Sequence, residues 1–236
     1  MKRINKKLNS FEIEKSICFI QKFDLRATGF FLKIEYNSKP LYMLVTAHHA
    51  IPYPLVDDEK NIQIIIGNDS EKQIINITLD CAERKILCLK DKDITAVEIL
   101  DKDKIKEKVK FLNYDSECNY TNYMNYLNIE IFIMHHPNCK EYEIKGNIIK
   151  IREPMDFEFQ HNLYTEEGSS GAPILLFEKS NEEFKVIGIH TSAAKGKKSK
   201  IGTFINTLIE EIKNKNFYKN KKCFGISKKS KLIIEL

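Results

Sequence analysis

Two serines stand between two glycines in "LYTEEGSSGAPILL", residues 163–176, of a chain that holds only 9 glycines among 236 residues. Glycine in such a loop adopts backbone angles that other residues resist, or lets another group come close. The stretch therefore fits a plain turn before a strand, because Gly, Ser and Pro are the commonest turn residues. It fits equally a nucleophile loop in which backbone N–H groups converge on one point. A serine hydroxyl is a poor nucleophile until a base takes its proton, and imidazole suits that task near neutral pH. The choice depends on whether the rest of the chain supplies the partners.

Three other stretches bear on it. In "LVTAHHAI" an apolar run ends in His48 and His49. A histidine just beyond a strand is held by backbone pairing yet can project into a cleft, although a lone histidine is more often structural. In "KDITAVEIL" Asp93 leads directly into an apolar run, a position that is also a common turn site. In "VIGIHTS" His190 replaces an aliphatic residue within an apolar strand. His161, in "FQHNL", lies nine residues before Ser170 and could border a pocket. No cluster has zinc or calcium ligand spacing, so neither a metal nor any other cofactor is expected.

The elements that must position these groups are short and rich in β-branched and aromatic residues. A first set comprises "SICFIQK", "TGFFLKIEY", "LYMLVT", "IQIII", "QIINITL", "ILCLK" and "ITAVEIL", separated by turn signals such as "NSKP", "PYP" and "GNDS". A polar, weakly patterned stretch follows, and then a second set: "NIEIFIM", "YEIKGNIIKIR", "FEFQHNL", "APILLF", "FKVIGIHT" and "IGTFIN". Closely spaced strands without intervening helices point to antiparallel barrels or a sandwich, and two sets around a connector suggest two barrels. One segment has a helical pattern, "NTLIEEIKNKN" at 206–216, with Leu208, Ile209 and Ile212 on one face.

Bulk properties narrow the field. A hydrophobic share of 42% with 10% aromatics fits a folded core. The net charge of +5 is spread along the chain, so nucleic acid is not an expected partner. No apolar stretch approaches the roughly 20 residues of a membrane span, and none of signal-peptide length follows the basic start. Six cysteines without CxxC pairing then read as reduced thiols, and the expected location is the cytoplasm.

Taken in order, "TAHH", "DITAV" and "GSSGAP", with the later "GIH", resemble the trypsin-like (chymotrypsin-fold) serine proteases over about residues 16 to 214. Within that family the chain is most similar to glutamyl endopeptidases and to intracellular trypsin-like peptidase domains. The resemblance implies an all-β chain of two antiparallel six-stranded β-barrels with a C-terminal helix. Its parts would be an N-terminal arm (1–15), a first barrel (16–110), a connector (111–126), a second barrel (127–205), and a helix with tail (206–236).

Carried over residue by residue, the resemblance makes His49 the general base, with His48 at the variable position. Asp93 becomes its carboxylate partner, with Asp91 a solvated turn charge. Ser170, rather than Ser169, becomes the nucleophile, and the N–H groups of Gly168 and Ser170 become the oxyanion donors. Tyr164 stands where trypsin-type members carry an aspartate, which disfavours Lys and Arg substrates. Thr165 and His190 match members that cut after Glu, or after Gln in related viral proteases, since both can donate to a carboxylate or amide oxygen. Protonation of His190 near pH 6.5 is expected to tilt that preference toward Glu. Lys195, Lys197 and Lys198 would add positive potential at the pocket mouth or form a solvated hairpin. His135 and His136 are read as structural, and "KLIIEL" in the tail as an edge strand or docking segment. The expected activity is thus a serine endopeptidase acting on peptides or proteins, with no membrane partner and no assigned oligomeric state. The alternative is a catalytically silent module of the same fold that binds peptide or nucleic acid.

Overall fold

The computed structural model describes residues 13–22, 25–57, 60–67, 72–135, 144–152, 157–193, 200–214 and 217. Seven strands come from the first half: β1 (Ile17–Lys22), β2 (Leu25–Tyr36), β3 (Lys39–Ala47), β4 (Asn61–Ile66), β5 (Gln73–Thr78), β6 (Ile86–Leu89) and β7 (Ile94–Glu98). They form one antiparallel sheet in the order β5-β4-β1-β2-β3-β7-β6. Seven more come from the second half: β8 (Asn113–Tyr114), β9 (Glu130–Ile133), β10 (Ile144–Ile151), β11 (Glu158–His161), β12 (Pro173–Glu178), β13 (Glu183–Ala193) and β14 (Lys200–Phe204). Their order is β12-β9-β10-β11-β14-β13-β8, and β12 also pairs with β13. That pairing closes six strands into a barrel, with β8 attached in parallel to β13.

The molecule therefore has the expected all-β, two-barrel, chymotrypsin-like architecture, with one difference. The first half is a curled seven-stranded sheet, and among the described residues no pairing joins its edge strands β5 and β6. The strands form where the sequence alternates or runs apolar, and β3 shows why: from Met43 to Ala47 every residue is buried. Asn37 and Ser38, at φ of 52° and 58°, make the two-residue turn of the β2–β3 hairpin, the left-handed pair that suits the twist of its strands.

Besides a short helix α1 (Tyr53–Asp57), the C-terminal helix α2 covers Asn206–Lys213 and buries Leu208, Ile209 and Ile212. That face packs into a core shared by both halves, with Phe30, Leu32 and Val45 from the first and Phe132, Val186 and Ile189 from the second. Residues 112–114 stitch the halves together: Lys33 N–H donates to the Leu112 carbonyl at 3.0 Å, while Asn113 and Tyr114 pair with β13. Among the described residues, no helix is long and apolar enough to cross a membrane. His136, the lysines at 195, 197 and 198, and the segment "KLIIEL" lie outside the described residues.

Candidate active site

The β3–β7 ladder ends at the pair Ala47 and Ile94, so the residues just past it, His48–His49 and Asp93, face each other across the end of the sheet. Asp93 adopts φ +52° at the close of a 3-10 turn over Lys90–Lys92, a left-handed angle that Asp tolerates better than most residues. Its main-chain carbonyl accepts from His48 N–H at 3.0 Å, and its Oδ1 accepts from His49 N–H at 3.0 Å. The same carboxylate takes His49 Nδ1 at 2.9 and 3.1 Å. A carboxylate only accepts, so the proton sits on Nδ1 and Nε2 carries the free lone pair. The hydrogen bond to Asp93 holds the His49 pKa above its usual 6.5.

His48 is built differently. It is buried, and its Nδ1 lies 2.9 Å from Thr95 Oγ1, which itself donates to the Ile51 carbonyl at 3.0 Å. With the threonine proton committed, His48 must donate, so this ring is a fixed strut. Burial lowers its pKa, and its ring makes a T-shaped contact with the Tyr53 ring, 5.0 Å between centres. Asp91, in turn, is exposed.

The serine loop consists of two successive turns. Ser169 N–H donates to the Glu166 carbonyl at 3.1 Å, with Gly168 third in the turn at φ +92°. Ala172 N–H then donates to the Ser169 carbonyl at 3.0 Å, with Gly171 third at φ +88°. A left-handed residue at the third position is the type II pattern and explains both glycines. Gly171 has a second reason. A Cβ there would lie 2.2 Å from the Thr28 carbonyl oxygen and 2.4 Å from Thr46 Oγ1. The loop thus rests directly on the first sheet, where Thr28 Oγ1 donates to the Gly168 carbonyl at 2.7 Å and Thr28 N–H to that of Ser170 at 2.9 Å. Thr46, which bonds the Thr28 carbonyl at 2.7 Å, lies three residues before His49.

Ser169 and Ser170 point to different places. Ser169 is fully buried, with its Oγ between Glu166 N–H and His135 Nδ1, both at 2.9 Å. Ser170 is partly exposed, and its Oγ makes a long 3.4 Å contact to the Thr191 carbonyl instead of a hydrogen bond to His49. The Asp93 turn is also clamped to the second half, since Thr203 Oγ1 donates to the Lys92 carbonyl at 3.2 Å and Lys92 Nζ lies 4.6 Å from the Phe157 ring centre.

His190 is buried on β13 beside a register shift in the β13–β14 ladder, an irregularity of the kind that re-aims side chains near sites. Its Nδ1 stands 3.3 Å from Nε2 of His161, on β11, the strand on the other side of β14. Burial drives the pKa of His190 down to about 4 and that of His161 to about 3. The expected protonation of His190 near pH 6.5 is therefore corrected: this ring is neutral throughout the working range of a histidine base. Thr165 is partly buried and Tyr164 is exposed. The pairing of His161 with His190, and of His135 with Ser169, is the part of this site that its sequence signals left out. Among the described residues no group of three or more His, Cys, Asp or Glu could hold a metal ion.

No protein-family model and no curated protein matches the chain. Solved structures do. A Glu endopeptidase in complex with MPD superposes with a TM-score of 0.60 at 16% identity, covering 86% of this chain and 90% of that one. The serine endoprotease from Yersinia pestis gives 0.59 at 10% identity, over 92% of this chain and 70% of that one. An inactive mutant form of Rv3671c from M. tuberculosis H37Rv gives 0.57 at 12% identity, over 89% and 91%. At such identities the likeness is one of fold.

Proposed function

We propose that this chain is a serine endopeptidase that hydrolyses peptide bonds through Ser170, His49 and Asp93. One observation carries the reading. His49, proton-ordered by Asp93, and a serine loop of two turns, each with a left-handed glycine, are held against the same end of the first sheet by Thr28, Thr46 and Gly171. The solved structures of the same fold named as proteases support it.

In this mechanism Ser170 Oγ turns from the Thr191 carbonyl toward His49, gives its proton to Nε2, and attacks the scissile carbonyl. Such hydrogen bonds are often long without substrate and tighten in the complex. Asp93 keeps the proton on Nδ1 and stabilises the imidazolium. The N–H groups of Gly168 and Ser170 receive the oxyanion, and losing one such donor costs about 3–4 kcal/mol. His49 then protonates the leaving amine, and water releases the acyl group by the reverse path.

A second reading, a silent module that holds peptide, draws on the orientation of Ser170 Oγ toward Thr191. Fluorophosphonate labelling separates the two. The enzyme should be modified at Ser170 alone, and Ser170→Ala should lose both labelling and peptide hydrolysis while keeping its circular dichroism. Activity in Ser170→Ala that disappears in Ser169→Ala would put the nucleophile one residue earlier.

For specificity we infer cleavage after Glu or Gln, with little after Lys or Arg. Tyr164 offers no anion to a basic side chain, whereas the Thr165 hydroxyl and the His190 ring can donate to an oxygen. For His190 to donate from Nε2, His161 Nε2–H must donate into His190 Nδ1. Because His190 stays neutral down to about pH 4, the Glu-to-Gln ratio of kcat/KM should be flat between pH 8 and 6. Peptide-library digestion read by mass spectrometry tests this, and a profile led by Arg, Lys or Phe would remove the pocket assignment while leaving the catalytic one.

A further inference from the structure

The buried pair His135 and Ser169 lies one residue from the proposed nucleophile, and the chemistry above makes no use of it. Ser169 Oγ accepts the Glu166 N–H at 2.9 Å, while Ser169 N–H returns to the Glu166 carbonyl at 3.1 Å. These two reciprocal bonds close the 166–169 turn around Gly168. The hydroxyl still has a proton to place, and His135 Nδ1 stands 2.9 Å away on the run leaving β9. Both side chains are buried, Ser169 completely, so the bond is shielded from water.

A β-turn with glycine third can take two forms. In type II the third residue has positive φ, and in type I it has negative φ, with the central peptide rotated by about half a turn. Glycine accepts both. The central peptide here carries the N–H of Gly168, so the exchange would swing that donor away from the reacting carbonyl. Both forms can keep the Ser169-to-Glu166 main-chain bond, so that bond cannot select between them. Thr28 holds the loop from the first sheet, at the Gly168 and Ser170 carbonyls, and within the second barrel the turn is tied by the Ser169 side chain, bonded to Glu166 on one side and to His135 on the other.

We propose that His135 is a positioning residue for the oxyanion loop: by holding the Ser169 hydroxyl from the end of β9, it fixes the turn that presents the Gly168 N–H to substrate. This rests on the reading of Ser170 as the nucleophile. β9 is paired on both sides, to β10 and β12, so it is a rigid post for such a tether.

The test uses the full chain. His135→Leu should lower kcat for a peptide substrate roughly a hundredfold, the order seen when one oxyanion donor is lost, with KM changed less than about threefold, because ground-state binding does not use that donor. His135→Asn, whose Oδ1 can stand near the place of Nδ1, should recover most of the loss. Ser169→Ala should match His135→Leu, and the double variant should be no worse than either. Unchanged kcat in His135→Leu, a loss confined to KM, or additive losses in the double variant would each overturn the proposal. Amide hydrogen exchange gives a second arm that needs no turnover: in His135→Leu the Glu166 N–H should exchange faster while amides of β12 and β13 keep their protection. Retained Glu166 protection also overturns the proposal. A wild-type chain that cleaves no peptide and takes no fluorophosphonate sinks the protease reading instead, and Glu166 exchange then decides alone whether His135 fixes the turn.

Discussion

Two adjacent histidines with the same side chain have been given opposite electrostatic settings, and the difference comes from single partners. His49 gains a carboxylate, which raises its pKa, and about half of its side chain stays in water. His48 gains a hydroxyl and an aromatic neighbour, and burial lowers its pKa. A base works only when unprotonated, so if His49 is the base, as proposed, its raised pKa should set the acid limb of kcat/KM above the ordinary 6.5. Asp93→Asn should move that limb to lower pH and reduce the plateau on the order of 10⁴-fold, through loss of the ordered tautomer. His48→Ala should keep most of the activity but lose about 1–3 kcal/mol of stability, because Thr95 is left without its donor. Comparable losses of turnover from His48→Ala and His49→Ala would undo the distinction.

At the scale of elements, the runs rich in Val, Ile and Phe became strands, because each carries enough apolar side chain to identify a buried face. The stitch at Asn113–Tyr114 was not legible. Two residues show no period, and their pairing in parallel with β13 is decided by where the two halves meet. The loop chemistry was partly legible: glycines flanking a serine announce a special turn, but nothing in the local sequence tells which serine is buried. That depends on His135, 34 residues away in the chain. The His161–His190 contact was hidden for the same reason, since β14 separates their strands. This contact has a measurable consequence. Both rings are held neutral, with pKa values of about 3 and about 4, while the unfolded chain takes up protons near 6.5. The native state therefore holds its full advantage above pH 6.5 and loses it progressively as pH falls toward 4, at up to roughly 1.4 kcal/mol per pH unit for each ring. Urea midpoints at pH 7 and pH 5 should differ clearly in the wild type and less in His161→Leu. An unchanged difference in that variant would mean that other groups carry the acid lability.

Over the whole molecule, the proposed site exists only where the halves are joined. The base and its carboxylate come from the first sheet, the nucleophile loop from the second barrel, and three kinds of contact fix their distance. The hydroxyl and N–H of Thr28 hold the loop, the Thr203 hydroxyl holds the turn before Asp93, and one apolar cluster draws residues from both sheets. The C-terminal helix is part of that core rather than an appendage, because Leu208, Ile209 and Ile212 pack with residues from both sheets. A cavity made at this point should be felt by both halves together. Leu208→Ala removes a fully buried side chain, which costs about 2–5 kcal/mol depending on how far the surroundings collapse. If the shared core makes the halves one cooperative unit, far-ultraviolet dichroism and the near-ultraviolet signal of the tyrosines should move to the same lower urea midpoint, with the slope unchanged. Catalysis below that midpoint should be nearly normal, since among the described residues no hydrogen bond joins the helix to His49, Asp93 or Ser170. Separated transitions for the two probes would mean that the halves unfold independently, and that the bonds from Thr28 and Thr203, rather than the core, are what hold the site in register.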